Sequence, residues 1–162
     1  MSDLTAEDIA ALKAQGFHFR ATSEGEIQFT PEEEAAWEAE RAALPSLPDL
    51  LGRINTRRKA AVDGGAAFDN NVYDSSPLGQ HAIASVIVFA KEYEAVAGEG
   101  AFSAEWSSLT GFVTLRLPEI VQLGFAVGAH VQACFARQKE LVAQAEGGDI
   151  AGALAGLETG WP

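Results

Sequence analysis

The stretch from Ala101 to Phe135, AFSAEWSSLTGFVTLRLPEIVQLGFAVGAHVQACF, constrains this chain most. It reads as a short hairpin delivered straight into a long helix. Phe102 and Trp106 precede the turn SSLTG, and Phe112, Thr114 and Arg116 follow it. Pro118 presets the first helical turn, because its fixed φ suits that position and its missing N–H would be unpaired there anyway. Trp106 and Phe135 are expected in one buried cluster with Val113 and Leu115. The segment carries no nucleophile, base or metal-ligand cluster. It is a packing and docking unit, and it points to a structural or interaction role rather than to chemistry.

The rest of the chain repeats this alternation of helices and hairpins. Thr5 is placed to cap a helix over 6–15, stopped by Gly16. Phe17, Phe19, Ile27 and Phe29 then alternate with polar residues around Ser23-Glu24-Gly25, which predicts a first hairpin. Thr30-Pro31-Glu32-Glu33-Glu34 opens a second helix running to about Leu44, with its carboxylates at the positive end of the helix dipole and Trp37 as its apolar anchor. Leu44-Pro45-Ser46-Leu47-Pro48 predicts a short extended connector. Beyond it, Asp49 is placed to cap a helix through Val62. Leu50, Ile54 and Val62 form its buried stripe, and Arg53, Arg57, Arg58 and Lys59 its exposed basic face.

A second hairpin turns on Asp69-Asn70-Asn71, residues that tolerate positive φ. Ser76-Pro77 opens a helix carrying Leu78, Ile83, Val86, Ile87 and Phe89 to a stop near Gly98. The third hairpin spans 102–116 and the long helix 118–146. Gly147-Gly148 breaks the chain before an Ala/Gly-rich tail ending at Trp161, an aromatic expected to dock on the body or on a partner. The expected class is α+β, mostly helical, with small antiparallel hairpins between helices. Three regions are expected: a helix-hairpin-helix appendage over 1–44, a main domain over 50–146 that accounts for its own apolar residues, and the tail over 147–162.

Charge narrows the partners. The net charge of −12 repels nucleic-acid phosphates and anionic membrane surfaces. Residues 1–49 hold 11 acidic and 3 basic side chains, and residues 50–162 hold 12 and 8, so most of the imbalance sits in the first third. The apolar content of 48% suffices for a core. No uninterrupted apolar run reaches the roughly 18 residues of a membrane span. The closest, 118–136, is broken by Glu119, Gln122, His130 and Gln132. The acidic start, MSDLTAEDIAALK, does not read as a secretory signal or transit peptide. Cys134 is the sole cysteine, so no internal disulfide forms, and it reads as a buried small hydrophobe ahead of a reactive thiol.

The candidate sites give no catalytic constellation. His18, His81 and His130 share no ligand spacing. Asp69-Asn70-Asn71 with Asp74 has an aspartate and Gln80 where a calcium loop needs glycine and glutamate. The serine pairs lack a nucleophile elbow. The basic cluster on the third helix lacks interleaved aromatics, which argues against nucleic acid. It suits pairing with the acidic N-terminal third or docking to an acidic partner. Gly124 and Gly128 lie four apart, as for close approach of another backbone.

Residues 50–145 resemble the DUF4376 domain of tailed-bacteriophage proteins. The resemblance rests on LLGRINTRRKAAVDGGAAFDNNVYDSS, a helix, and W…FVTLRLPEIVQLGFAVGAHVQACF. In that family an Arg-rich helix precedes an F-D…D-S hairpin, a middle helix, a W…V-T-L hairpin and a closing helix. Phe68, Asp74, Ser75, Trp106, Val113, Thr114, Leu115, Glu119, Val131, Gln132 and Phe135 hold those places here. Leu117-Pro118 stands where the family often has a threonine cap. The resemblance implies a phage-tail context and no catalytic residues.

The expected function is therefore that of a non-enzymatic structural protein of the tail fibre or baseplate, in the virion tail after synthesis in the host bacterial cytoplasm. A fibre-assembly chaperone is the alternative. Other tail proteins, or copies of this chain, are the expected partners, without nucleic acid, membrane insertion, cofactor or metal. Phe17, Phe19, Phe29, Trp37 and Trp161 are the expected contact residues, because an isolated hairpin buries its aromatics poorly.

Overall fold

A computed structural model describes residues 6–14, 18–22 and 25–162. The chain divides into two compact units, Met1–Pro45 and Ser46–Pro162. It is α+β and mostly helical, with small antiparallel hairpins between helices.

Unit 1 contains α1 (Ala6–Ala14), β1 (Phe19–Thr22), β2 (Gly25–Gln28) and α2 (Pro31–Ala43). The strands pair antiparallel from Phe19 opposite Gln28 to Thr22 opposite Gly25. Lys13 reaches Glu26 at 2.7 Å, tying α1 to β2. Thr30 caps α2 through a reciprocal pair of bonds: its hydroxyl accepts from the Glu33 amide at 3.2 Å, and its own amide donates to the Glu33 carboxylate at 2.8 Å. The helix stops at Ala43 because Pro45 pushes Leu44 into extended backbone. The cap expected at Thr5, the stop at Gly16, the ring of Phe17 and the turn residues Ser23-Glu24 lie outside the described residues.

Unit 2 opens with α3 (Leu47–Asp63). Here the structure differs from the sequence expectation. Ser46, rather than Asp49, is the cap, and Pro48 lies inside the first turn instead of in an extended connector. The reason is local. Ser46 Oγ accepts from the Asp49 amide at 3.3 Å and donates to its carboxylate at 2.6 Å. A first-turn proline removes only an N–H that has no helical partner.

β3 (Ala66–Phe68) and β4 (Asn71–Tyr73) turn on Asp69 and Asn70, both at positive φ (46° and 61°). This is the paired left-handed geometry whose twist suits a two-residue hairpin. α4 (Pro77–Ala97) is capped by Ser76 and ends at Gly98. β5 (Ser103–Ser108) and β6 (Gly111–Arg116) pair with Trp106 opposite Val113. α5 (Leu117–Glu146) follows without a loop, its start held by the Arg116 amide donating to Glu119 at 2.7 Å. The tail forms α6 (Ile150–Ala155), capped by Asp149.

Two apolar clusters hold this unit together. In the first, Tyr73, Ile83, Ala90, Phe102, Leu115, Ile120, Leu123, Val127 and Cys134 bring α4, α5 and both hairpins together. In the second, Leu50, Ile54, Leu141, Ala145, Ala153 and Leu157 join α3, α5 and α6. α5 contributes to both and is the central element. The tip of the β5–β6 hairpin docks on the other hairpin, with Leu109 N donating to Val72 O at 2.7 Å and Thr110 Oγ1 to Asn71 Oδ1 at 2.9 Å. Each hairpin thereby gains the extra contacts that a lone pair of strands lacks.

Candidate functional site

α4 has two apolar faces, and only one is used. Gly79, Ile83 and Ala90 face the core. On the opposite side Leu78 is 75% exposed, Val88 63%, Phe89 61% and Val96 92%, with Tyr93 beside them. A helix that is apolar all round ordinarily has both faces covered. Along the open face Leu78, Ala82, Ser85, Phe89, Glu92 and Val96 recur at alternating intervals of four and three. Four of the six are apolar, and an apolar seam at that spacing suits a helix that packs lengthwise against another helix.

The seam's aromatics are held in place by the core. Phe89, Tyr93 and the buried Phe102 form a trio with ring centroids 5.9–6.3 Å apart, two of the three pairs edge to face. Phe102 N also donates to Glu94 at 3.3 Å, fixing the chain after α4. A ring already ordered loses less entropy on association. On the other side of α4 from the seam, a hollow of about 420 Å³ lies between α4 and α5, lined by Ile83, Ile87, Lys91, Val121, Gly124 and Phe125 among others. Phe125 is itself 67% exposed at its rim. Neither glycine of the pair expected to admit a close backbone is required for it: a Cβ at Gly124 would make ordinary contact with Ile83 and Ile87 at 3.4 and 3.5 Å, and one at Gly128 would meet only open space.

The residues expected to meet partners fall elsewhere. In unit 1 the His18 ring lies between Phe29 (centroids 6.1 Å) and Trp37 (3.8 Å), and its Nδ1 contacts the Glu34 carboxylate. Arg41 covers the Trp37 ring at 5.0 Å, and Lys13 lies over Phe19 at 5.8 Å. Phe19, Phe29 and Trp37 are each half-buried, and Phe17 lies outside the described residues.

Trp161 is half-buried within unit 2. Its indole N–H donates to Leu157 O at 2.7 Å, and Arg57 stacks on its ring at 5.6 Å. Of the two places expected for this ring, body or partner, its own body holds it.

The basic strip of α3 is likewise engaged locally. Arg57 pairs with Glu158 of the C-terminal segment at 3.1 Å. Arg58 covers Phe135 at 4.6 Å and donates to Asn55 at 3.1 Å. Arg53 and Lys59 are exposed. Gly52, Arg53, Thr56 and Arg57 line an open hollow of about 720 Å³, with Asp49 and Glu158 contributing opposite charge.

His130 contacts Ala61 O at 3.1 Å and Cys134 Sγ at 3.7 Å, and His81 is exposed. Among the described residues no group of three or more His, Cys, Asp or Glu gathers. Burial pushes the Cys134 thiol above its usual pKa, against the pull of Arg58. The buried Tyr73 hydroxyl is raised by burial first, then by Asp69 and Glu119. By length and composition α5 could cross a membrane. In this fold its apolar stripe from Ile120 to Leu141 is the central packing surface.

Two expectations about the body are corrected. It does not account for all its own apolar side chains, because the α4 face stands open. Phe135 does not join the cluster with Trp106, Val113 and Leu115. It is instead 47% exposed beneath Arg58, because Val131 and Cys134 take the inward positions of that turn. The signal missed in the sequence was α4 itself. At 3.6 residues per turn Leu78 and Phe89 cannot share one face with Ile83 and Ile87.

Helical packing around α5, two docked hairpins and an uncovered helix face define this chain as an α+β module built around side-chain packing. The family model described as Domain of unknown function (DUF4376) matches residues 47–156, and the chain belongs to that family. The matched span begins at the first residue of α3 and ends just past α6. No curated protein and no solved structure matches the chain.

Proposed function

We propose that this chain is a non-enzymatic structural protein of a bacteriophage tail, seated at the tail fibre or baseplate and acting through protein–protein contacts. The observation that carries the reading is the open apolar face of α4, where Leu78, Val88, Phe89 and Val96 stand in solvent along one side of a helix. Contiguous apolar patches of that size are costly in water and mark contact surfaces. The resemblance to tail-encoded proteins supplies the phage context.

The acidic surface of unit 1, with Glu32 and Glu38 exposed on α2, and the half-buried Phe19, Phe29 and Trp37 add a second contact region. Phe17 belongs to the same segment of sequence. Trp161 is the weakest of the proposed contact residues, since its ring is already held by Leu157 and Arg57.

Mass spectrometry of purified virions of the phage that encodes the chain tests the proposal. Copies in fixed ratio to known tail subunits are expected. A chain abundant in infected cells and missing from washed virions would overturn the structural role in favour of an assembly chaperone.

A further inference from the structure

We propose that α4 is a homodimer interface, pairing antiparallel with α4 of a second copy about a two-fold axis beside Val88. This deepens the reading that the chain works through protein contacts, and it is testable in solution without the virion.

The first argument is area. Exposed aromatic side chains present roughly 150–250 Å² each and Leu and Val somewhat less. By that measure the exposed fractions of Leu78, Val88, Phe89, Tyr93 and Val96 leave on the order of 600 Å² of apolar surface on one helix face. A stable complex takes about 800 Å² from each partner. The exposed His81, Ser85 and Glu92 and the half-buried Ala82 on the same face add further surface to the patch.

The second argument is that the seam is complementary to itself in one direction only. Run antiparallel about its midpoint, Leu78 falls opposite Val96, Ala82 opposite Glu92, and Ser85 opposite Phe89. The largest side chain then meets a small one, the layering that fills space between helices. A serine suits that small position, because on a helix its hydroxyl can bond the carbonyl four residues back. Run parallel and in register, Phe89 would meet Phe89, Ser85 facing Ser85 would leave a gap, and the two Glu92 carboxylates would face each other. The antiparallel arrangement separates those charges and brings each Glu92 beside the exposed His81 of the other copy. Val88, flanking the seam, then meets its own equivalent across the axis, as a two-fold contact requires.

Sedimentation equilibrium of the full chain, over concentrations spanning two orders of magnitude, should show a reversible shift to twice the 17.1 kDa of one copy. Leu78→Glu and Val96→Glu should each weaken the dimer at least tenfold while leaving the melting curve in place at concentrations where the chain is monomeric, because both side chains stand in solvent there. Phe112→Glu, 77% exposed on β6, should leave the dimer intact. For direction, a chain carrying Leu78→Cys is mixed with one carrying Val96→Cys and oxidised. Cys134 is buried and silent. Mixed-pair disulfides are expected. Disulfides joining like with like would overturn the antiparallel register. A monomer at every concentration, or a dimer indifferent to both glutamates, would overturn the interface itself while leaving the virion test untouched.

Discussion

Gly79 shows how closely this fold is drawn at single positions. It sits in the first turn of α4, and a Cβ there would lie 2.2 Å from the carbonyl oxygen of Asp74. That oxygen is backbone and cannot rotate away. Around it Ser75 Oγ, fully buried, donates to Val62 O at 2.5 Å, and Ser76 caps the helix. The turn between β4 and α4 is therefore pinned to the end of α3. Gly79→Ala should cost about 3 kcal/mol, the upper range for overpacking a closed site. A chemical-denaturant melt measures it, and a loss of less than half that would mean the Asp74–Ser76 turn shifts freely. Cys134 shows the opposite behaviour. It contributes only packing, since burial raises its pKa and shields the sulfur.

At the scale of elements, α6 is a six-residue helix that would not persist alone. Two things hold it. Leu157 and Ala153 close the cluster over Leu50, Ile54 and Leu141. Asp149 caps it, its carboxylate accepting from Gln144 at 2.6 Å and from the Gly152 amide at 2.8 Å. The Gln144 bond first and the Gly152 bond second hold the Asp149 pKa below its ordinary 3.8. A lowered folded-state pKa means that the cap's contribution is full above the ordinary value and is lost as pH falls through the lower one. The protection of amides 150–155 against exchange, relative to the unfolded-chain rate at each pH, should therefore fall in acid below pH 3.8. In Asp149→Asn, whose amide still caps but does not titrate there, that acid step should vanish. The same step in both proteins would assign it to another group.

At the scale of the molecule, the expectation concerns which piece can fold alone. Ser46–Pro162 holds both apolar clusters and the caps of every helix in it. Expressed by itself, 46–162 should give a dispersed amide spectrum and a single cooperative melt. The shorter 50–145 should be less stable by roughly 3 kcal/mol, since removing Ala153 and Leu157 uncovers Leu50, Ile54 and Leu141. Equal stability of the two fragments would show that α6 is an ornament on the surface rather than a wall of the core. In unit 1, by contrast, no described residue is fully buried, in keeping with four short elements around a few half-covered aromatics.

Local chemistry was enough to read much of this from the sequence. Caps at Thr30 and Ser76, the positive-φ turn at Asp69-Asn70, the stop at Gly98 and the hairpin running into α5 depend on residues within a few positions of one another, so their signals survive in a linear string. The start of α3 was misplaced by a few residues because Ser46 and Asp49 both suit a cap. Their mutual hydrogen bond, which decides between them, is a matter of geometry. Tertiary structure decided the rest. Periodicity shows that α4 is apolar but not which of its two apolar sides finds a neighbour. α5 could cover only one, and it took the side of Ile83 and Ala90, leaving Leu78, Phe89 and Val96 in water. For the tail, too, the sequence left open whether Trp161 docks on the body or on a partner. The tail is closed by Leu157 and Trp161 because α3 and α5, far apart in the chain, leave an apolar gap that only folding creates.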